Sequence, residues 1–299
     1  MTALSPTRVT YPAGATTSTG TIVHVTDAGA GRFAVVLDVT AFHPVDTAWP
    51  DQPADRGTLR IGDTVHDVVD AVVGATTGEE LLLGPDVPVR TGTEGWTFVV
   101  AHVAEGEAPE VGQTAEVEVD AQHRAALSAG HTACHLASLA LDAALAEAWT
   151  KPAPTDALGA PAFDALAIQE SRIRPDGSVD TYRIGKSLRR KGFDPSALGD
   201  LDALAARVDA LLGEWIAAGG AVRIETTGEA LADRRTWVCE LPGAEVRIPC
   251  GGTHVSSLAD LASATVAFHR REAEGGVELV MTTTAVRSSA GGGAASVVR

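Results

Sequence analysis

His131-Thr-Ala-Cys-His135 and Cys250-Gly-Gly-Thr-His254 each place two metal-capable side chains four residues apart, with about 115 residues of chain between the two motifs. Together they offer three imidazoles and one thiolate, the donor set of a complete zinc shell. The first pair lies in an Ala/Leu-rich stretch of helical spacing, where positions i and i+4 share a face. The second pair straddles Gly251-Gly252, a turn expected to bend until both side chains aim at one point. A site assembled from a helix and a distant loop closes a long span of chain, so it organises the domain that contains it. Structural zinc favours several cysteines on close knuckles, whereas this set is rich in histidine and spans two elements. A catalytic and a structural ion are both open on the residues alone.

The rest of the composition narrows the setting. A chain of 299 residues that is 45% hydrophobic can bury a sizeable core in one large or two moderate domains. No apolar run reaches the length of a membrane span, and the start lacks the basic-then-apolar layout of a signal peptide. Three cysteines, Cys134, Cys239 and Cys250, make no even disulfide framework. A cytoplasmic protein is the expectation. The net charge of −16 argues against general nucleic-acid binding. One segment departs from that trend. Between Arg172 and Lys191 stand Arg172, Arg174, Arg183, Lys186, Arg189, Arg190 and Lys191 against Asp176 and Asp180. This is either a solvated face or a local phosphate-binding patch that restricts contact with a polyanion to one place.

The first hundred residues read as all-β. Apolar stretches at 21–25, 33–39 and 96–103 are rich in β-branched and aromatic residues, with Gly, Pro and Asp clusters between them, the rhythm of a small barrel. A linker is expected at 105–111. Helices are expected over 121–149, 195–218 and 257–272, and strands over 221–226, 236–241, 244–248 and 277–283. The tail from Ser288, rich in Gly, Ala and Ser, is expected to be disordered. The fold class is therefore α+β: a β-barrel domain over 1–110, an α+β zinc-binding domain over 111–287, and a tail over 288–299.

No Gly-x-x-x-x-Gly-Lys loop, strand-linked Gly-x-Gly-x-x-Gly or Gly-x-Ser-x-Gly elbow competes with the metal motifs. The first motif also lacks the glutamate of His-Glu-x-x-His, so it carries no metalloprotease base. The paired motifs His-x-x-x-His and Cys-Gly-Gly-Thr-His resemble the editing domain of alanyl-tRNA synthetase, and more closely the stand-alone alanyl-tRNA editing proteins often called AlaX. Ala41-Phe-His-Pro44 and Gln52-Pro-Ala-Asp-Arg-Gly57 are similar to that family's Phe-Tyr-Pro and Gln-Pro-Ala-Asp-x-Gly elements. His123-Arg124 is similar to its basic approach to the metal helix, and Tyr182–Leu188 to a stretch in some stand-alone members. The likeness covers roughly residues 20 to 285.

The resemblance implies zinc-dependent hydrolysis in trans of the ester on a mischarged tRNA, with His131, His135, Cys250 and His254 as ligands. It places the basic segment, including Arg172, Arg174, Lys186, Arg189, Arg190 and Lys191, at the acceptor end. Gln169 stands near where the synthetase domain carries a glutamine, and Thr253, between two ligands, is placed to orient one of them. Two departures bear on specificity. Val45–Asp51 replaces the family's Gly run, and Cys134 replaces a common threonine before the second histidine. The amino acid removed is therefore expected to differ from simple serine or glycine on alanine tRNA, with a threonine analogue such as fluorothreonine on threonine tRNA as one option. The rival readings are a zinc hydrolase of a free amino-acid derivative, and a non-catalytic aminoacyl-tRNA-binding protein with structural zinc.

Overall fold

The computed structural model describes residues 4–46 and 49–289. The expected tail therefore lies almost wholly outside the described residues. The fold is mixed α+β, dominated by strands, and the chain divides into two compact units. The first comprises residues 1–125, 224–236 and 249–253; the second comprises 126–223, 237–248 and 254–299. Among the described residues no helix is long and apolar enough to cross a membrane.

In the first unit, β1 (Arg8–Val9) pairs in parallel with β4 (Val39–Thr40). The main sheet is built from β2 (Thr17–Gly29), β3 (Arg32–Leu37), β5 (Gly57–Ile61), β6 (Thr64–Thr76), β7 (Leu81–Leu83), β8 (Thr97–Glu105) and β9 (Thr114–Val119). Its order is β5-β9-β2-β3-β8-β6-β7, and β5 also pairs with β6. β5 thus pairs with both β9 and β6, while β7 extends the sheet as an edge strand along the far end of β6. The long strand β6 makes this possible: Thr64–Val68 pairs with β5, and Val68–Thr76 with β8 across a register shift. Alternation sends Phe33, Val35 and Leu37 of β3 into the main core, with Ile22, Leu59, Val73 and Phe98. Ala34 and Val36 face the other way, against Val72, Val99 and Val103. That strand is buried on both faces, which is why its sequence is a continuous apolar run. The expected linker at 105–111 leads into β9, itself a member of this sheet.

The second unit begins inside α1 (Ala121–Ala144), whose N-terminus is capped by Asp120 accepting from the amides of Gln122 and His123. Next come α2 (Phe163–Ala167), β10 (Ile168–Arg174), β11 (Gly177–Gly185), α3 (Lys186–Arg190) and α4 (Leu201–Ala218). β12 (Val222–Thr226), β13 (Arg235–Leu241) and β14 (Ala244–Pro249) form a three-stranded sheet. β15 (Leu261–Ala273) and β16 (Gly276–Arg287) complete an antiparallel sheet of order β10-β11-β16-β15. α4 starts at Asp200, which caps Ala203 N, and stops at Gly219 with φ 64°. Its buried face is Leu204, Val208, Leu212, Trp215 and Ile216. Asp209 on α4 accepts the Val266 amide at 2.7 Å, satisfying a donor on edge strand β15.

The helix expected over 257–272 is not formed. Its start signal is real, since Ser257 and Asp260 make a capping box, but the turn lasts only Leu258–Asp260. Ala264 and Val266 are then buried on alternate positions, and the whole stretch pairs with β16. Alanine-rich composition mimicked a helix, and strand pairing across the sheet overrode it. The helix expected over 121–149 ends at Ala144, followed by a 3-10 turn at Ala146–Ala148. The one expected over 195–218 is likewise split, with a 3-10 turn at Pro195–Leu198 before α4.

Candidate metal centre

α1 approaches the β10–β11 hairpin turn at Gly130. A Cβ there would fall 2.6 Å from Gly177 N and would overlap the Arg174 carbonyl, so only glycine permits this approach. The contact fixes the rotation of α1, and with it the direction of the next residue, His131. One stripe of the helix, Leu127 and Cys134, packs on Ile173. The adjoining stripe carries His131 and His135.

Three imidazoles of the second unit, those of His131, His135 and His254, cluster. Ring centroids lie 4.9 Å apart for His131–His135, 4.4 Å for His131–His254 and 5.1 Å for His135–His254. Trp237 on β13 packs 4.9 Å from His135 and 5.8 Å from His254. His135 Nε2 is buried and has no hydrogen-bond partner among the described residues. Burial lowers its pKa to about 4, so the ring is neutral, the form that ligates metals. His254 is oriented by Thr132, whose hydroxyl lies 3.2 Å from His254 Nδ1 and also accepts the Val255 amide at 3.2 Å. With Nδ1 engaged there, Nε2 is the nitrogen that would face a metal ion.

Cys250 stands four residues before His254 on one short loop, so chain length alone keeps its Cα within about 14 Å of that of His254. His131, His135, Cys250 and His254 are a group that could hold a metal ion. The donor set fits zinc in type and number, and a buried, partnerless imidazole nitrogen is what such an ion would satisfy. Burial pushes the Cys250 thiol up to about 12, with Asp51 adding to the effect, so a cation would have to displace its proton.

The loop carrying Cys250 is held within the first unit. Gln52 Nε2 donates to Thr253 Oγ1 at 2.9 Å, and Gln52 Oε1 accepts the Thr253 amide at 3.0 Å. The Cys250 amide bonds the Arg235 carbonyl at 3.1 Å. Gly251 takes no left-handed conformation, and a side chain there would meet nothing within 4 Å. The clamp on Thr253, rather than a turn at that glycine, shapes the loop. Asp55 joins the other recognised element. Its carboxylate accepts the His43 amide and forms a buried ion pair with Arg124, whose Nη2 also donates to the Ala41 carbonyl at 2.8 Å. Arg124 is thus a structural clamp at the start of α1, not an exposed basic approach.

The remaining candidates fall in different places. Cys134 Sγ lies 3.5 Å from Asp180 Oδ1, and Asp180 also accepts from Ser171 Oγ at 2.6 Å and Ser178 Oγ at 2.7 Å. Burial first, and then Asp180, push the Cys134 thiol well above its ordinary range, which favours its protonated form. Gln169 is exposed on β10 at a register shift and bonds its own neighbour, the Ile168 carbonyl, at 3.0 Å. Thr253 meets Gln52 as described, while Thr132 is the threonine that reaches a histidine ring.

The basic segment is divided. Arg172 and Arg174 lie toward the turn end of the β10–β11 hairpin, Arg172 paired with Glu170. Lys186, Arg189, Arg190 and Lys191 are exposed on and just after α3, beyond the other end of β11. Val179, opposite Arg172, and Gly177, opposite Arg174, precede Lys186 along β11, which separates the two groups by roughly 23–30 Å at about 3.3 Å per residue. Lys151 joins the α3 group by donating to the Arg190 carbonyl at 3.2 Å.

Sequence reading missed Thr132 and Lys151 and named Gln52 only within a motif. Thr132 had a legible signal, one residue past His131 on a helix whose histidines need orienting. Lys151 had none, because the proline-rich segment that carries it folds back irregularly.

The fold and the histidine cluster define a mixed α+β protein with a candidate histidine-rich metal centre. No protein-family model matches the chain. It is 32% identical over 157 residues to an alanine–tRNA ligase of Ruegeria pomeroyi, a stretch covering 50% of this chain and 16% of that protein. It is also 32% identical over 102 residues to an alanine–tRNA ligase of Caldivirga maquilingensis, covering 34% of this chain and 9% of that protein. The chain is thus related in sequence to part of alanyl-tRNA synthetase, and the matched stretch spans less than a fifth of either relative.

Proposed function

We propose that this chain is a cytoplasmic, zinc-dependent aminoacyl-tRNA deacylase acting in trans, with a small N-terminal barrel at 1–110 and an editing domain at 111–287. The observation that carries it is the cluster of His131, His135 and His254, with a buried Nε2 lacking any partner, in a chain related to alanine–tRNA ligase. His131, His135, Cys250 and His254 would hold the ion, which when bound supplies Lewis acidity and a fixed point for the substrate. Thr132 sets the His254 ring, and Gln52 holds the loop through Thr253. The α3 group of Lys186, Arg189, Arg190 and Lys191, with Lys151, supplies the positive charge for acceptor-end phosphates; Arg172 and Arg174 would contact the polyanion at a separate place. Cys134, tied to Asp180, and Gln169, at a bulge that re-aims side chains, are the candidates for selecting the amino acid.

The test is deacylation of Ser-, Gly-, Thr- and fluorothreonyl-tRNA by wild type and His135→Ala. Selective cleavage of one ester, lost in the variant, is the expected result. Rapid cleavage of Ser-tRNA(Ala) over every threonyl ester would remove the threonine-analogue option and leave an ordinary alanine-tRNA editor. No cleavage by folded, zinc-loaded protein would overturn the deacylase reading and favour a free amino-acid derivative or a binding role. A triple Arg189/Arg190/Lys191→Ala variant should weaken tRNA substrates at least tenfold and spare a minimal aminoacyl-adenosine ester. Equal loss on both would count against the phosphate contact.

A further inference from the structure

The far nitrogen of His254 shares a hydrogen bond with the Thr132 hydroxyl, whereas among the described residues neither ring nitrogen of His135 makes one: Nε2 is the buried atom an ion would satisfy, and no outer partner anchors the ring from the other side. The contacts that settle the His135 ring are faces: His131 at 4.9 Å and an interplanar angle of 30°, His254 at 5.1 Å and 24°, Trp237 at 4.9 Å and 34°. Two of these are themselves histidines of the cluster. Trp237 is the third, fully buried, and it also packs on His254 at 5.8 Å. An imidazole turns about a broad terminal torsion, so without an anchoring bond its nitrogen is aimed only by what packs on its face. Among the described residues the Trp237 indole Nε1 has no hydrogen-bond partner either, so its contribution here is ring surface and not a donated proton.

We infer that Trp237 is a positioning residue of the metal centre: its indole face holds the His135 and His254 rings in ligating orientation, in place of the hydrogen bond that outer partners usually supply to a ligating histidine. This rests on the metal reading above. It acts through the two histidines and needs no contact with substrate. A ring of comparable face in its place should serve, and an aliphatic side chain should not.

The test is zinc affinity of the full chain, by competition with a chromophoric chelator, for wild type, Trp237→Phe and Trp237→Leu, with far-ultraviolet circular dichroism to verify folding. The expected result is Phe within about threefold of wild type and Leu weaker by about 10- to 100-fold, the range seen when outer partners of ligating histidines are removed. The cobalt-substituted visible spectrum should be preserved in Phe and altered in Leu, a change that lost stability alone does not produce. Leu binding as tightly as wild type, or Phe and Leu weakened equally, would overturn the inference while leaving the metal reading intact. Wild type that binds no zinc would overturn both. Should Trp237→Leu fail to fold, the Phe variant still decides: zinc should change the tryptophan emission of wild type and not that of Trp237→Phe. A change that persists in full in the Phe variant would remove Trp237 from the centre.

Discussion

At the residue scale, the chemistry depends on small groups beside the histidines. Thr132 accepts from the Val255 amide and reaches His254 Nδ1, so a near-isosteric Thr132→Val keeps the shape and removes both bonds. Zinc affinity measured by calorimetry should fall by about 10- to 100-fold. Unfolding free energy should fall by only about 1–2 kcal/mol, because the substitution leaves one partly buried amide unmatched. Unchanged affinity would mean that the hydroxyl does not orient the ligand. A second residue acts through pH. Burial raises the Asp142 carboxyl from 3.8 to about 8, while its Oδ1 accepts the Asp164 amide at 2.7 Å. The folded state therefore holds a proton that the unfolded chain has released above pH 4. Stability from this group is full below the unfolded value and is lost as pH rises through the folded one. Asp142→Asn keeps an acceptor and removes the titration. Between pH 4 and 9 the unfolding free energy of wild type should decline relative to the variant, by several kcal/mol at most, at about 1.4 kcal/mol per pH unit on the steepest part. Melting curves that run parallel across this range would refute the assignment.

At the element scale, α1 is set by Gly130. Alanine is the better helix former by about 1 kcal/mol, so helix propensity alone favours Gly130→Ala. The packing argues the reverse, since the new methyl would meet Gly177 N at 2.6 Å. Forcing the hairpin turn away should cost about 1–3 kcal/mol net, read as a lower urea midpoint. A more stable variant would show that the turn yields easily. The same element explains what was legible in its sequence. The i,i+4 histidines and their helix followed from local spacing, whereas the need for glycine came from a hairpin that begins some 40 residues later in the chain. Strand β15 carries the converse lesson. Its capping box and alanine content spell a helix start, and only the ladder with β16 and the Asp209 contact make it an edge strand.

At the scale of the whole molecule, the most consequential buried charges are Asp55 and Arg124, 69 residues apart in sequence and both nearly free of solvent. Removing one partner leaves the other charge buried alone. Arg124→Met should lower the unfolding free energy by about 3–5 kcal/mol in chemical denaturation. Little change would place the pair in water. The two recognisable elements around it, Ala41–Pro44 and Gln52–Asp55, could be read as motifs, but their task could not. Asp55 ties the first element to Arg124, and Gln52 reaches Thr253, 201 residues away. Neither distance can be computed from local propensity.

The sequence by itself determined the candidate donor atoms, the helix under the first motif, the strand-rich first hundred residues and the relationship to alanyl-tRNA synthetase. Each of these is local: ligand chemistry, spacing on one helix face, or alternation along one strand. Tertiary structure alone decided which threonine reaches a histidine of the cluster, that Arg124 is a clamp, and that the single basic stretch is two groups at opposite ends of a hairpin. These depend on which distant segments meet, and strand pairing and close packing settle that only when the whole chain is folded.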